Sequence, residues 1–300
     1  MSIQEYVKAH GFASCQQITY GWSEDQKYLV SDHENHQYVV RVSDASKKVL
    51  KRKEFAFIQA CNSLSYAMSQ AISISVSDQV YMLLSYVPGC MLETILPSMM
   101  DETAYRLGIQ AGSALIQIHQ LPNLSQLAYK VYDPIALRQK VLHRLTLYET
   151  EGFCLPQDQR VLSFVREHID NLYQNQPCYL HGDYHCGNLL YTNGGIGIID
   201  FNRFDYSDPY EEFARLDLFD VPASKPYANG LLHGYFRGNP PEDFWKFYAV
   251  YMAYTSLYSL VWAKPFGNAE VDGFIQRYLH ILTVFDGFQK MIPSWYHPDI

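Results

Sequence analysis

Apolar and polar residues alternate with the short period of β-strands through the first third of the chain. The clearest case is residues 36–42 (HQYVVRV), and residues 18–30 contain a strand pattern, a polar turn and a second strand pattern. Residues 47–61 instead have the longer apolar spacing of a helix. A Pro-Gly pair at 88–89 interrupts the pattern, because both residue types favour turns. We therefore predict a small lobe of hairpins and one main helix over residues 1–87.

Beyond this break, apolar positions recur mainly with helical spacing. Helices are predicted at 101–120, 134–150, 157–173, 209–219, 225–236, 242–263 and 271–290. An uncharged part of the sixth helix, residues 247–263, is shorter than the ~20 residues that usually span a bilayer. We therefore predict a buried core helix there and no membrane partner. The second lobe is expected to cover residues 88–300, so the predicted fold class is α+β with two lobes.

Composition and charge narrow the class of protein. The chain has 300 residues, of which 48% are hydrophobic and 18% charged, and this balance is typical of a globular protein with room for two substantial cores. No cationic and apolar leader opens the sequence, and its six cysteines include no C-x-x-C pair, so we expect a thiol-reduced cytoplasmic protein. The net charge of −8 argues against nucleic acid as a partner and favours a cationic small molecule.

The most informative segment is 181–188 (HGDYHCGN), which is followed by Ile-Ile-Asp-Phe at 198–201. Asp183 and Asn188 have the offset of the base and the metal-binding amide in a kinase catalytic loop. Short strand patterns on both sides of an Asn-Gly-Gly turn predict a hairpin that returns Asp200 to the side of Asn188. Carboxylate and amide oxygens suit Mg²⁺. The pattern therefore predicts phosphoryl transfer, with Asp183 as the base and with Asn188 and Asp200 as metal ligands.

The same segment also admits a transition-metal alternative. His181 and His185 are four residues apart, and Cys186 is adjacent to the second histidine. Tetrahedral zinc would need a further ligand or an open catalytic position. The intervening Gly-Asp pair favours a catalytic loop over a helix that carries ligands, so we interpret the two histidines as residues that brace the loop or line the site.

Together, segments 181–188 and 198–201 resemble the H-G-D-x-H-x-x-N and I-D-F signature of the aminoglycoside phosphotransferase and choline kinase-like family. The resemblance covers nearly the whole chain and implies a bilobal protein-kinase-like fold, a bound ATP or GTP, and Mg²⁺. Residues 81–89 are similar to the segment that joins the two lobes in this family, which implies adenine contacts by the backbone of Ser85 and Val87. Protein kinases proper are disfavoured, because Asn202 stands where D-F-G has glycine.

The resemblance also implies three nucleotide contacts in the small lobe. Ser23 would lie in the loop that covers the phosphates, although an ordinary hairpin turn explains that segment as well. Arg41 falls where the family has a basic residue on its third strand, and Glu54 resembles the glutamate that pairs with it. The alternatives are a solvated arginine and a glutamate on a charged helix face. The sequence leaves open whether Arg41 contacts the nucleotide directly.

These observations favour an ATP- and Mg²⁺-dependent kinase that phosphorylates a hydroxyl of a small molecule. Among the acceptors that the resemblance admits, an aminoglycoside-like antibiotic is our first expectation, which implies a role in antibiotic resistance. A housekeeping kinase for choline, homoserine or a sugar is the main rival. A kinase-like protein that binds nucleotide without turnover is the alternative from a different class. Neither the choice between ATP and GTP nor the oligomeric state follows from the sequence.

Overall fold

The computed structural model describes residues 1–19, 25–122, 127 and 131–298. In chain order, its first part contains α1 (Ile3–Ala9), β1 (Ser14–Ile18), β2 (Gln26–Ser31), β3 (Gln37–Asp44), α2 (Lys48–Cys61), β4 (Ala67–Met68), β5 (Ala71–Val76) and β6 (Gln79–Ser85). The five long strands form one antiparallel sheet in the order β1-β2-β3-β6-β5. This sheet and the two helices are the small lobe.

The large lobe is mainly helical. It contains β7 (Cys90–Met91), α3 (Leu92–Ile95), α4 (Asp101–His119), α5 (Pro134–Thr150), α6 (Asp158–His168), β8 (Cys178–Leu180), β9 (Leu189–Thr192), β10 (Gly195–Ile198), β11 (Asp205–Ser207), α7 (Val221–Ala223), α8 (Lys225–Phe236), α9 (Glu242–Ala263) and α10 (Asn268–Val284). A four-stranded sheet has the order β4-β10-β9-β7, and β11 pairs with β8. In the helices of the described ranges, no segment is both long and apolar enough to cross a membrane.

Alternation along β3 decides which side chains face the large lobe. Val40 and Val42 point into a small core that α1 completes through Tyr6. Arg41, between the two valines, turns to the opposite face and reaches α2. Lys27 of β2 is directly opposite Arg41 in the strand register, and directly paired residues share a face of the sheet. Both cations therefore lie on the inner face of the small lobe.

Glycine pairs bring α4 and α8 into direct backbone contact. Gly108 and Gly112 lie on α4, and Gly230 and Gly234 lie on α8. A Cβ added at any of these four positions would stand 2.1 or 2.2 Å from a backbone oxygen of the facing helix. The two helices can approach this closely only because the four residues have no side chain.

The predicted α+β fold with two lobes is confirmed, and the lobe boundary at residue 87 stays a prediction. The expectation of one regular helix over 209–219 is wrong. A tight 3₁₀ segment, Pro209–Arg215, is followed by a wide π-helical turn, Leu216–Asp220. Buried carboxylates on this segment hydrogen bond to separate parts of the large lobe, and these tertiary bonds override the helical pattern. Two other predicted helices have different bounds in the structure. The α-helix predicted at 157–173 ends at His168, and the helix predicted at 271–290 is Asn268–Val284.

Candidate active site

The loop between β8 and β9 is held in place by His181. This ring is buried, and its Nδ1 accepts the backbone N–H of Asp183 at 3.3 Å. That acceptor role leaves Nε2 as the protonated nitrogen, which donates to the carbonyl oxygen of Ile199 at 3.0 Å. The ring thereby ties the loop to the end of β10. His181 is therefore a bracing residue, as the sequence interpretation proposed.

Asp183 lies among donors and cations. The side-chain nitrogen of Asn188 donates to its backbone oxygen at 2.9 Å. Arg215 Nε is 2.7 Å from Asp183 Oδ1, and Arg203 Nε is 3.6 Å from Oδ2. The carboxylate is 15% exposed and lines the central cleft, so it remains accessible to a small molecule. Sequence reasoning missed both arginines, because their proximity depends on the path of the chain after β10.

Two carboxylates brace the backbone of the same loop from the irregular segment after β11. Glu212 Oε1 accepts the N–H groups of Gly182 at 2.9 Å and Tyr184 at 3.2 Å. Asp220 Oδ1 accepts the N–H of Cys186 at 2.8 Å. Burial raises the pKa of Asp220 to about 7, although this hydrogen bond opposes the shift. Hydrogen bonds to two buried carboxylates thus set the loop conformation.

The predicted hairpin brings the two proposed metal ligands together. β9 and β10 pair antiparallel, and the backbone N–H of Ile199 donates to the carbonyl oxygen of Asn188 at 3.2 Å. Because the Asn188 side-chain nitrogen donates to the backbone oxygen of Asp183, the side-chain oxygen faces away from that carbonyl group. Asp200 follows β10 in a left-handed conformation (φ 63°), which non-glycine residues seldom adopt. The structure therefore places both oxygen donors at one end of the hairpin.

The chemistry of Asp200 fits a divalent cation. Its Oδ1 is buried, lies 3.9 Å from Arg41 Nη1, beyond hydrogen-bond distance, and has no hydrogen-bond partner among the described residues. Burial opposes ionisation, but the charges of Arg41 and Lys27 outweigh it and lower the pKa of the carboxyl group below its ordinary value. A buried, ionised oxygen without a hydrogen bond is costly unless a cation or solvent meets it. Asp200 and Asn188 therefore form a donor set that Mg²⁺ suits.

A buried charge network lies behind this site in the small lobe. Arg41 donates to Glu54 and to Asp25, and Lys51 Nζ is 2.8 Å from Glu54 Oε2. Ser43 donates to Asp25 at 2.8 Å. Arg41 is 3% exposed and Glu54 is fully buried, so neither side chain is solvated. The structure brings the two predicted partners together as an ion pair, and a role for them in nucleotide binding stays a prediction.

Lys27 is the cation that sequence reasoning missed. Its Nζ is 2.8 Å from Asp200 Oδ2, and its side chain is 18% exposed compared with 4% for Arg41. Both side chains line the cleft. Lys27 can be recognised as a residue of this site from its position opposite Arg41. That position depends on the strand register, which the sequence alone does not give. Ser23, with the rest of residues 20–24, lies outside the described residues.

One cleft of about 990 Å³ joins these groups, and its lining includes residues of both lobes. This volume is within the range of small-molecule sites. Ser85 and Val87 lie at one end, where the N–H of Ser85 donates to Gln70 O at 3.0 Å and its hydroxyl accepts the Gln70 N–H at 2.8 Å. Asp183 lines the same cleft, and arginines and aromatic rings of the large lobe line a further part of it. The predicted adenine, metal and catalytic positions therefore share one cavity.

The histidines and the cysteine of the loop have separate partners. Burial lowers the pKa of His185 to about 4, so the ring is neutral at pH 7. It stacks on Phe219 at 4.4 Å, and the Cys186 thiol donates to the carbonyl oxygen of Phe219 at 3.5 Å. Within the described ranges, no group of three or more His, Cys, Asp or Glu residues is arranged to hold a metal ion. These contacts give His185 and Cys186 separate partners within the protein.

Comparison with known proteins gives the family. Residues 14–248 match the model of the phosphotransferase enzyme family (APH), and the chain belongs to this family. The predicted resemblance is confirmed, as is the predicted class of enzyme, a small-molecule kinase. A search of curated proteins found no match.

Solved structures share the fold at low sequence identity. The GDP and kanamycin complex of APH(2")-IIia has a TM-score of 0.72 and 14% identity, covering 94% of this chain and 98% of that one. The gentamicin complex of APH(2")-IIa has a TM-score of 0.67 and 18% identity, with coverage of 92% and 94%. The macrolide 2'-phosphotransferase MphH from Brachybacterium faecium has a TM-score of 0.67 and 15% identity, with coverage of 92% and 97%.

Proposed function

We propose that this protein transfers the γ-phosphoryl group of ATP or GTP to a hydroxyl group of a small molecule in an Mg²⁺-dependent reaction. The observation that carries the proposal is the convergence of Asp183, Asn188 and Asp200 on one cleft, with Lys27 beside the last of them. Phosphoryl transfer needs mainly a positioned hydroxyl and charge stabilisation, and these residue types supply both.

Asn188 and Asp200 would hold the metal. The buried oxygen of Asp200 without a hydrogen bond and the oriented amide of Asn188 support this assignment. When bound, Mg²⁺ neutralises charge on the nucleotide phosphates. Lys27 adds a cation beside Asp200 on the face of the sheet that lines the cleft. We therefore add Lys27 to the proposed phosphate contacts.

The other nucleotide contacts remain proposals based on family resemblance. Ser85 and Val87 would meet adenine through their backbone groups, and both line the cleft. Arg41 is already bonded to two carboxylates, so its pair with Glu54 would mainly hold the inner face of the sheet in position. Ser23 stays in the proposal as a contact in the phosphate-covering loop.

The proposed chemical step uses Asp183 as the base. The acceptor oxygen attacks the γ-phosphorus, the bond from that phosphorus to the β,γ-bridging oxygen breaks, and Asp183 takes the hydroxyl proton. Arg215 at 2.7 Å and the hydrogen bond from Asn188 fix the orientation of this aspartate before the acceptor arrives. The nucleoside diphosphate leaves with the negative charge of the broken bond.

An aminoglycoside-like antibiotic was the first expectation for the acceptor. Structures of similar fold are described as complexes with gentamicin and kanamycin, which supports that class and a role in resistance, and others are macrolide phosphotransferases. The rival is a metabolite kinase. The choice between these two classes of acceptor depends on the charged side chains in the part of the cleft beyond Asp183, which we call the acceptor half. All six cysteines are free, which together with the use of a nucleoside triphosphate supports a cytoplasmic location.

The test is acceptor-dependent release of ADP or GDP with Mg-ATP or Mg-GTP. We expect Asp183→Asn to lower turnover by ~10²–10⁴-fold with little change in nucleotide affinity, because a positioned base contributes about that much. Asp200→Ala should instead weaken Mg-nucleotide binding. Asp170→Asn is the matched control, since that carboxylate is 87% exposed and outside the cleft. Undiminished turnover in Asp183→Asn would exclude the proposed base, and nucleotide binding without turnover for any acceptor would support the non-catalytic alternative.

A further inference from the structure

The part of the cleft beyond Asp183 is lined by four arginines: Arg144, Arg203, Arg215 and Arg277. We propose that the acceptor is an anionic hydroxyl compound, with a carboxylate or phosphate group that these arginines bind, and that it is not a polycationic amino sugar. This inference rests on the proposed function, because it names the class of molecule that receives the phosphoryl group.

Two of the arginines flank the catalytic carboxylate. Arg215 is 2.7 Å and Arg203 is 3.6 Å from oxygens of Asp183. Among the described residues, Asp183 is the only carboxylate within 4 Å of either guanidinium group, so two positive charges share one negative charge. In both arginines the nitrogen that lies near Asp183 is Nε. A guanidinium group in this arrangement suits the planar, bidentate binding of an oxyanion.

Arg277 is half-buried and has aromatic neighbours in place of a counter-ion. Its guanidinium carbon is 4.9 Å from the ring centre of Phe219 and 4.7 Å from that of Phe274. In the described part of the chain it makes no hydrogen bond, and no carboxylate lies within 4 Å; Glu270 acts on it only at longer range. A cation that has lost water without gaining an anion is costly, so a bound oxyanion would stabilise it.

Phe219 connects this arginine to the reacting groups. The same ring that packs on Arg277 stacks on His185, whose Nε2 is 3.7 Å from Asp183 Oδ1. Arg277 therefore lies one aromatic ring away from the catalytic loop. A small molecule could therefore bind Arg277 through its anionic group and at the same time place a hydroxyl group at Asp183.

Arg144 approaches from another side of the cleft. It donates to the hydroxyl of Tyr254 and lies 4.5 Å from the ring centre of Tyr258, and no described carboxylate is within 4 Å of it. Trp262 lines the same region. Arginine held on aromatic faces is a common element of sites for planar anions. The aromatic lining therefore favours an acceptor with an apolar or planar body.

The acidic residues in this half of the cleft do not reverse the balance. Besides Asp183, they are Asp205, Glu211, Glu212 and Glu270. Both oxygens of Glu211 accept hydrogen bonds, from the hydroxyls of Tyr251 and Ser207 at 2.7 Å each, so this carboxylate is committed to the protein. Asp183 is paired with Arg203 and Arg215, and Glu212 is bonded to the backbone of the loop, so among the described residues neither carboxylate lies within 4 Å of Arg144 or Arg277. An anion would supply the counter-charge that Arg144 and Arg277 lack, whereas a polycation would not.

The experiment measures binding by calorimetry to protein that is loaded with Mg-ADP. The carboxylate arm compares 4-hydroxyphenylacetate with its methyl ester, the phosphate arm compares glycerol 3-phosphate with glycerol, and kanamycin represents polycations. We expect at least one anion to bind about 10-fold or more tightly than its neutral analogue and than kanamycin, since one lost charge-assisted contact corresponds to that factor. Binding by one arm alone identifies whether the anionic group is a carboxylate or a phosphate.

Arg277→Gln should weaken binding of the preferred anion by about 10-fold or more and reduce its advantage over the neutral analogue. Arg106→Gln is the matched control, because Arg106 is 67% exposed and outside the cleft. Tighter binding of kanamycin than of both anions, no binding of either anion, or an unchanged preference in Arg277→Gln would each overturn the inference. Failure of Mg-ADP itself to bind would instead count against the proposed function, so the two failures are distinguishable.

Discussion

Replacing Gly112 by alanine tests whether the contact between α4 and α8 holds the large lobe together. Alanine is favoured over glycine in a helix interior by about 1 kcal/mol, so propensity alone predicts stabilisation. In the structure, however, the new Cβ would lie 2.1 Å from the carbonyl oxygen of Leu231 and 2.5 Å from the nitrogen of Tyr235. Both are backbone atoms of α8, so no flexible side chain can move aside.

The magnitude follows from the distance that the helices must separate. To lengthen this contact from 2.1 Å to an ordinary 3.4 Å, the two helices, which pack through four glycines, must separate by about 1.3 Å. Overpacking of this kind costs about 1–3 kcal/mol, and a clash with backbone belongs at the upper end. After subtracting the gain in propensity, we expect Gly112→Ala to lower the free energy of unfolding by about 2 kcal/mol.

The assay is urea and thermal unfolding followed by circular dichroism, for which 2 kcal/mol corresponds to a fall in Tm of about 4–8 °C in a lobe of this size. Gly273→Ala is the matched control. Gly273 lies within α10 and a Cβ there meets nothing within 4 Å, so this variant should gain up to about 1 kcal/mol. Equal stabilisation by both substitutions would refute the close contact of the two helices.

Two further predictions concern the buried carboxylates and the phosphate contact. Burial raises the pKa of Asp217 from 3.8 to about 7. Between these values the folded protein keeps a proton that the unfolded chain has released, so the free energy of unfolding of the wild type should fall from pH 5 to pH 8. Asp217 should account for on the order of 2–3 kcal/mol of that fall. Asp217→Asn should remove that part of the slope in urea unfolding at the two pH values, and an unchanged slope would contradict the raised pKa. Lys27→Met should raise the Kd for Mg-ATP by roughly 10–100-fold, through loss of a charge-assisted contact, and leave adenosine binding unaffected. The control is Lys48→Met, an exposed lysine on α2, and equal ATP affinities in the two variants would exclude Lys27 as a phosphate contact.

Local patterns were sufficient for most helices of the large lobe. The predictions at 134–150, 225–236 and 242–263 coincide with α5, α8 and α9. Their starting signals are nearby in sequence: Asp133 caps α5 ahead of Pro134, and Ser224 caps α8. The hairpin of β9 and β10 was equally predictable, because its turn and both strands lie within ten residues.

Other features were invisible because they depend on contacts between distant segments. The segment 209–219 has a helical pattern, yet Glu212 and Asp220 turn inward to brace the loop 181–188, and the backbone departs from a regular helix. β4 pairs in parallel with β10, more than a hundred residues later in the chain. No local pattern in the sequence encodes such pairings, since each forms only when segments that are distant along the chain pack together.

By itself, the sequence determined the class of fold and suggested the chemistry that we propose for the central residues. The spacing of Asp183, Asn188 and Asp200 is local, and a hairpin of fixed geometry is enough to bring them together. The tertiary structure decided which cations surround them. Strand register places Lys27 beside Asp200, and the path of the chain after β10 places Arg203 and Arg215 beside Asp183. The other two arginines that line the cleft beyond Asp183, Arg144 and Arg277, lie on separate helices. Long-range packing sets these positions, so the charge that the acceptor meets is a property of the folded chain.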